Sequence, residues 1–256
     1  MTNQPIHAAA SLIVMRDRAS GPPEVLIIQR SAALAFAGGA YAFPGGRIDP
    51  EDRALAERCC PALDPDDGAA RIAAARETLE EAAIAIGHPP ASSDETALAG
   101  GLAARLSSGA CTFDCDAFVP FARWLPHLGI KRRFDTRFFL AAAPAVDVDP
   151  IADGGETSAT FWASAETILA RCAAGDGWAL FPTRRLLERL ARFASFAEAR
   201  EDALGLPQRV ITPEIVSRED GYWLQIPDDA GYPITTEIMA EAEVRMLAQI
   251  QGETAA

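Results

Sequence analysis

Three glutamates with helical spacing are the residues of this 256-residue sequence best suited to carry chemistry. Glu77, Glu80 and Glu81 lie in a segment, residues 66–86, whose Ala, Leu, Arg and Glu content predicts a helix. Because residues three and four apart share a helix face, the three carboxylates project toward one patch. Crowded carboxylates repel one another unless a cation lies among them, and oxygen ligands suit Mg²⁺ or Mn²⁺. The pattern favours a divalent-metal site for a diphosphate, and the alternative is a solvated helix face.

An arginine and a pair of glycines accompany these glutamates. Arg76 lies four residues before Glu80 and is expected to hold that carboxylate by a charge-assisted hydrogen bond, as an orienting group. Upstream, the segment 43–46 (Phe-Pro-Gly-Gly) permits unusual backbone angles and a close approach of the backbone to a ligand. Taken singly, the two features could be an ordinary ion pair and a strand-ending turn. Their combination favours the functional interpretation.

Together these segments resemble the Nudix box, which reads Gly, five residues, Glu, seven residues, Arg-Glu, an aliphatic, any residue, Glu-Glu, any residue, Gly, an aliphatic. Gly46 followed after five residues by Asp52 is similar to the first part, with Asp in place of Glu, and residues 76–84 are similar to the second. Thr78 stands at the aliphatic position and Ala83 at the glycine position. The two parts are separated by 23 residues (53–75) rather than seven. The extra residues are interpreted as a surface insertion in the loop before the helix.

The segments on either side of the box resemble the coenzyme A diphosphatase branch of that family. The matching positions are Leu26-Ile27, Arg30-Ser31, Gly39 and residues 43–46 upstream, with residues 133–139 and 155–162 downstream. The upstream pattern usually has another basic residue where this sequence has Ala35. Insertions within the box also occur in that branch. The resemblance covers residues 8–190 approximately.

The resemblance implies a fold and a set of site residues. The fold would be of the mixed α/β class, an α/β/α sandwich in which the long helix carries Mg²⁺ or Mn²⁺ as the cofactor. Its implied metal ligands are Glu77, Glu80, Glu81 and the backbone carbonyl of Gly45 or Gly46. The implied catalytic residues are Arg76, Glu80, Glu81 and Glu156, and the implied substrate contacts are Arg30, Phe43 and Gly45. Glu156 would be an additional acidic group from a later loop, and the alternative is a solvated loop glutamate.

The implied reaction is metal-assisted attack of water on one phosphorus of a nucleoside diphosphate derivative, a small-molecule substrate. Glu80, Glu81 or Glu156 would help to deprotonate the water. Coenzyme A or an acyl-coenzyme A is the leading substrate hypothesis, and ADP-ribose, NADH or another dinucleotide is the alternative. A non-catalytic nucleotide-sensing module on the same fold is the alternative from another functional class. A pure binder, however, has no need of three metal-ligating carboxylates.

Composition disfavours several other functions. Lys plus Arg number 23 against 36 Asp plus Glu, a formal net charge of −13 that opposes nucleic-acid binding. The N-terminus has no signal-peptide pattern and the sequence has no apolar run of about 18 residues, so we expect a cytoplasmic protein that does not bind membranes. The five cysteines are odd in number and match no disulfide or zinc spacing. All five are therefore expected to be core or surface thiols.

Strands and helices must together position these residues. Strands are predicted over residues 8–15, 25–30, 118–124, 134–142 and 159–162, with a hairpin between the first two and shorter strand pieces within 210–226. Helices are predicted over residues 66–86, 95–106, 164–173, 183–194, 196–204 and 236–251. We predict a single domain over residues 1–256, with a core at about 8–190 and a helical C-terminal extension at about 191–256. That extension could cover the active site, mediate a homodimer or cap the core.

Overall fold

The chain adopts a mixed α/β fold in a computed structural model, which describes residues 5–87, 102, 113–126, 133–145 and 148–239. These residues form two β-sheets and five α-helices. The larger sheet contains β1 (Ile6–Arg16), β2 (Glu24–Arg30), β3 (Tyr41–Ala42), β4 (Gly45–Arg47), β5 (Val119–Trp124), β6 (Arg133–Ala142), β7 (Thr157–Ser164) and β8 (Val210–Ile211). The smaller sheet contains β9 (Glu214–Arg218), β10 (Gly221–Gln225) and β11 (Thr236–Ile238). The helices are α1 (Pro50–Cys59), α2 (Pro65–Ala82), α3 (Ala165–Ala174), α4 (Phe181–Leu190) and α5 (Phe196–Gly205).

Strand β1 is central to the larger sheet. It pairs in parallel with β6 along almost its whole length. On its other edge, the first half of β1 pairs with β4 and the last residues pair with β2, both antiparallel. The sheet continues through β5 beyond β6 and through β7 beyond β2. The predicted β1–β2 hairpin is confirmed, and the glycine segment enters the sheet as β4 beside the start of β1.

Helices cover both faces of this sheet. Ile13 and Met15 of β1 belong to a buried cluster that includes side chains of α3, α4 and α5. Leu12 and Val14, which point to the opposite face, belong to a second cluster with side chains of α1 and α2. A strand buried on both faces has a nearly continuous apolar sequence, and residues 9–15 of β1 are all buried, with Ser11 the one polar residue among them. The predicted α/β/α sandwich is confirmed.

The long helix α2 begins and ends at identifiable caps. The Asp64 side chain accepts hydrogen bonds from the backbone N–H groups of Asp66 and Asp67, and Pro65 occupies the first helical position. The helix ends at Ala82 because Ala83 adopts the left-handed conformation, with φ of 56°. The end predicted at residue 86 was therefore four residues too late. Ala83 stands at the glycine position of the box, where a left-handed cap explains the usual preference for glycine.

The insertion inside the box is a packed helix, so its interpretation as a surface loop was wrong in part. It contains most of α1, whose first turn, with a capping box formed by Asp49 and Asp52, comes just before it. Leu55 and Ala56 of α1 are buried against α2. At its end, Cys60 forms a disulfide with Cys115, which corrects the expectation that all five cysteines are thiols. Cys111 lies outside the described residues.

The chain after α4 is less helical than predicted. The described part contains α5, followed by β8 in the larger sheet and the antiparallel sheet β9–β11. Residues 236–238, predicted as the start of a helix, form β11 because they pair with β10. The predicted helix 95–106, apart from residue 102, and residues 240–251 lie outside the described part of the chain. Among the described residues, no helix is long and apolar enough to cross a membrane.

Candidate active site

A cleft of about 640 Å³ brings the predicted site residues together. It lies where α2, β4 and the start of β1 meet the segment 153–156 and the segment 31–39. The predicted residues that line it are Arg30, Phe43, Gly45, Gly46, Glu77, Glu80, Glu81 and Glu156. Arg76 is not part of the lining but contacts two of these glutamates. Residues distant in the sequence therefore form one surface.

Helix α2 presents its carboxylates to the cleft at different depths. Glu80 is half-exposed, whereas Glu77 is largely shielded and Glu81 is buried. Oε2 of Glu81 accepts a hydrogen bond of 2.9 Å from the backbone N–H of Gly45. This bond connects α2 to β4, so the carboxylate helix and the glycine strand are held together inside the cleft.

Gly45 and Gly46 are required by close approach. A Cβ at Gly45 would lie 2.5 Å from the carbonyl oxygen of Ala10 and 2.7 Å from Cα of Ser11. A Cβ at Gly46 would overlap the carboxylate of Glu77. Any side chain at residue 46 would therefore push Glu77 away from β4. The glycine pair lets the backbone of β4 reach the carboxylates of α2.

Arg76 organises the carboxylates from behind the cleft. Its Nε and Nη2 donate to the two carboxylate oxygens of Asp52, both at 3.0 Å. Its Nη1 donates to Glu77 at 2.9 Å and to Glu80 at 3.0 Å, and Nη2 also donates to the carbonyl of Arg47 at 3.0 Å. The predicted Arg76–Glu80 contact is present. Arg76 thus connects α1, β4 and α2.

Asp52, which stands at the first glutamate position of the box, is the strongest partner of Arg76. Its side chain is fully buried, and its Oδ2 also accepts a hydrogen bond of 2.8 Å from the backbone N–H of Asp49. Burial disfavours the charge of Arg76, but the hydrogen bonds to Asp52 and the charges of Glu77, Asp52 and Glu80 outweigh it and raise the pKa of Arg76. The guanidinium therefore stays charged.

Burial raises the pKa of two of the glutamates that line the cleft. It raises the pKa of Glu81 to about 8, against the opposing effect of the Gly45 N–H. Burial also raises the pKa of Glu77, while the neighbouring Arg76 lowers it. A low-dielectric surrounding disfavours these negative charges unless a cation is close by. That is the electrostatic situation that a divalent ion relieves.

The loop after residue 152 supplies two more carboxylates. Asp153 lines the cleft and its side chain accepts hydrogen bonds from the backbone N–H groups of Gly155, Glu156 and Thr157. The carbonyl of Glu156 in turn accepts from the N–H of Ser31 at 2.7 Å. These bonds fix the backbone that carries the exposed Glu156 side chain. Asp153 was missed in the sequence, although an Asp before Gly-Gly is a recognisable turn signal.

Arg30 is a cation on the cleft lining whose donor groups suit a phosphate. Its Nε is buried and has no hydrogen-bond partner among the described residues. Its charge opposes the rise in the pKa of Glu81. An arginine donor that is buried without a partner, beside a cleft, has a hydrogen bond left to give to a ligand.

The described residues do not form a finished metal site. No three His, Cys, Asp or Glu side chains among them are arranged to hold an ion. The physical reason is that Glu77 and Glu80 both turn toward Nη1 of Arg76, while Glu81 turns toward Gly45. The donors nevertheless fit a hard divalent cation, because they are all oxygens and lie on one face beside a glycine backbone that leaves them room.

Aromatic side chains form part of the cleft wall, and apart from Phe43 none of them was among the predicted site residues. They are Phe36 in the segment 31–39, Phe134 and Phe138 on β6, and Trp124 on β5. Phe134, Thr136 and Phe138 alternate along β6 and so share one face. Their convergence depends on sheet pairing between distant strands. A propensity argument assigns such residues to strands without saying which face meets a cleft.

This chain is similar to solved structures and to curated proteins. No protein-family model matches it. A crystal structure of a Nudix hydrolase from Alicyclobacillus acidocaldarius superimposes with a TM-score of 0.69 and 33% sequence identity, covering 78% of this chain and 97% of that one. The chain belongs to the Nudix hydrolase family. As a Nudix hydrolase it is a pyrophosphohydrolase, which confirms the enzyme class expected from the sequence.

Two curated proteins are also similar to this Nudix hydrolase. Acyl-coenzyme A diphosphatase NUDT19 from Homo sapiens is 27% identical over 271 residues, covering 81% of this chain and 72% of its own length. The protein of the same name from Gallus gallus is 26% identical over 289 residues, covering 87% and 76% respectively. The resemblance to the coenzyme A diphosphatase branch is thereby confirmed.

Proposed function

We propose that this Nudix hydrolase cleaves the diphosphate linkage of coenzyme A or an acyl-coenzyme A, using Mg²⁺ or Mn²⁺. The observation that carries the proposal is the single cleft lined by the α2 glutamates, the β4 glycines, Arg30 and Glu156. The substrate class is supported by the similarity to two proteins named acyl-coenzyme A diphosphatase. Their names describe those proteins, and the transfer to this chain is the proposal.

The glutamates of α2 would hold the metal. Glu77, Glu80 and Glu81 supply carboxylate oxygens, and the backbone of Gly46 lies against Glu77, where its carbonyl could add a ligand. When bound, a divalent ion would neutralise diphosphate charge and lower the pKa of a bound water. Arg76 would fix the positions of Glu77 and Glu80 through one oxygen of each carboxylate, because its Nη1 donates to Oε1 of Glu77 and to Oε2 of Glu80.

Other residues would bind the substrate and move the proton. The guanidinium of Arg30 would donate to a phosphate oxygen, and the partnerless Nε supports that role. Glu156, held over the cleft by the loop that Asp153 fixes, is exposed and would accept a proton from the attacking water. Glu80 or Glu81 would be the acceptor if Glu156 is only a loop residue. Phe43 and Gly45 would shape the floor on which the diphosphate lies.

A second substrate class is favoured by one observation. The coenzyme A segment that this chain resembles has another basic residue where Ala35 stands, and Ala35 is exposed in the segment 31–39. Coenzyme A carries a phosphate on its ribose in addition to the diphosphate. ADP-ribose and NADH lack that phosphate and would not need the cation. These compounds therefore belong in the same assay.

The test is hydrolysis of coenzyme A, acetyl-coenzyme A, ADP-ribose and NADH with Mg²⁺ or Mn²⁺, with and without a chelator. We expect metal-dependent hydrolysis of a coenzyme A compound to an adenosine bisphosphate and a phosphorylated pantetheine or its acyl ester, and a loss of kcat of about 100-fold or more in Glu80→Gln and Glu81→Gln. Glu201→Gln, an exposed residue of α5, is the matched control and should leave kcat unchanged. Nucleotide binding without turnover of any substrate would instead establish a sensor.

A further inference from the structure

The exposed ring of Phe36 is the starting point. Phe36 lines the cleft, yet 41% of its surface remains accessible. The next residue, Ala37, adopts the left-handed conformation with φ of 52°, which costs energy for any residue with a Cβ. Both the strained backbone and the exposed apolar ring cost free energy. Contact between the ring and a ligand would offset that cost.

Backbone hydrogen bonds hold this ring in place. Within the segment 31–39 and its flanks, the N–H of Leu34 donates to the carbonyl of Ser31 at 3.1 Å, and the N–H of Gly39 donates to the carbonyl of Arg30 at 3.0 Å. The turn closes with the N–H of Ala40 donating to the carbonyl of Ala37 at 3.2 Å. The position of Phe36 is therefore set by the segment and not by burial of the ring.

The ring faces an apolar wall of the cleft. The centroid of Phe134 on β6 lies 6.5 Å from that of Phe36, and the two rings are tilted by 41°. Phe138 on the same face of β6, with Leu180 and Pro182 near the start of α4, continue this lining. The glutamates come from α2 and the 153–156 loop, so the cleft has a carboxylate wall and an apolar wall.

We propose that the apolar wall holds the acyl chain of a coenzyme A thioester, with Phe36 as the residue that determines chain-length specificity. This inference rests on the proposed function. An alkyl chain gains affinity from burial against rings and aliphatic groups whatever their orientation, roughly fourfold for each buried methylene. A purine sandwiched between the two rings would need them parallel, whereas Phe36 and Phe134 are tilted by 41°.

The experiment compares kcat/KM for coenzyme A, acetyl-coenzyme A and octanoyl-coenzyme A. In the unmodified chain we expect kcat/KM to rise with chain length, mainly through KM. Phe36→Ala should lower kcat/KM for the octanoyl ester by roughly tenfold and leave that for coenzyme A within about twofold. Tyr222→Ala, an exposed aromatic on β10 of the smaller sheet, is the matched control and should change neither.

Failure of the acyl site and failure of the proposed function can be told apart. An equal loss for coenzyme A and its octanoyl ester in Phe36→Ala would mean that the ring contacts the nucleotide, and the proposed function would still stand. If no coenzyme A compound is cleaved, the proposed function fails, and calorimetric binding of coenzyme A and octanoyl-coenzyme A to the chain decides the acyl site. Tighter binding of the octanoyl ester that Phe36→Ala abolishes would support the site, and equal affinities would refute it.

Discussion

Replacing Asp52 should lower both the stability of the chain and the metal affinity of the proposed site. Its buried carboxylate accepts two hydrogen bonds from Arg76 and one from the N–H of Asp49. Asp52→Ala removes all three and leaves Arg76 without its bidentate partner. Breaking a buried ion pair costs about 3–5 kcal/mol. Arg76 keeps Glu77, Glu80 and a backbone carbonyl as partners, so the lower value, about 3 kcal/mol, is expected.

This loss is large enough to measure by two methods. In a chain of this size it should lower Tm by about 6–12 °C, and urea unfolding followed by circular dichroism gives the free energy directly. Asp52→Asn keeps the shape and the bond from Asp49, so about 1.5–3 kcal/mol is expected. Without Asp52, Arg76 loses the partner that connects it to α1, so it holds the Glu77 and Glu80 carboxylates less firmly. Mn²⁺ affinity, measured by calorimetry, should then fall about 10–100-fold.

Asp66→Asn is the matched control for this prediction. Asp66 also pairs with an arginine, Arg53, but both side chains are about half-exposed, so the pair should contribute less than about 1 kcal/mol. Its Mn²⁺ affinity should equal that of the unmodified chain. If Asp52→Asn proved no more costly than Asp66→Asn and bound Mn²⁺ normally, the assignment of Asp52 as the anchor of Arg76 would be refuted.

Two further predictions concern single backbone and side-chain positions. Ala83→Gly should raise the free energy of unfolding, measured in urea, by about 0.5–1 kcal/mol, because Ala83 caps α2 in the left-handed conformation. Ala82→Gly, at the buried last residue of α2, should instead lower it by up to about 1 kcal/mol. Stabilisation by neither or by both would contradict this reasoning. Burial raises the pKa of Tyr232 from 10.0 to about 12. Below pH 10 the phenol is neutral in both the folded and the unfolded chain. Between about pH 10 and 12 only the unfolded chain loses the proton, so the free energy of unfolding should fall by up to about 1.4 kcal/mol per pH unit. Tyr232→Phe should lack this fall. Absorbance at alkaline pH should show this late ionisation, which Tyr222→Phe should leave in place.

The parts predictable from the sequence were those set by local spacing. The face shared by the α2 glutamates follows from helix geometry, and the paired strands β1 and β2 follow from two apolar runs around a turn cluster. The separation of 24 residues between Asp52 and Arg76 hid a contact of 3.0 Å, because α1 folds back against α2. The start of α1 was itself readable, since Asp49, Pro50 and Asp52 make a capping signal.

Other features depended on contacts between distant segments. The pairing of Cys60 with Cys115 requires the end of α1 to meet a turn before β5, which no spacing rule predicts. The apolar wall requires Phe36 to face β6 across the cleft. The early end of α2 required a non-glycine residue to accept a left-handed backbone, against its intrinsic preference. In each case tertiary structure overrode or supplemented the local pattern.

The disulfide makes this part of the molecule doubly connected. Cys60 and Cys115 close a covalent ring that contains α2 and all three of its glutamates. A protease that cuts the chain once between these two cysteines would open the ring without dividing the molecule. The pieces would separate only when a reductant is added. The two halves of the box, joined in sequence through the insertion, therefore have a second covalent route to each other, through the disulfide and residues 85–114.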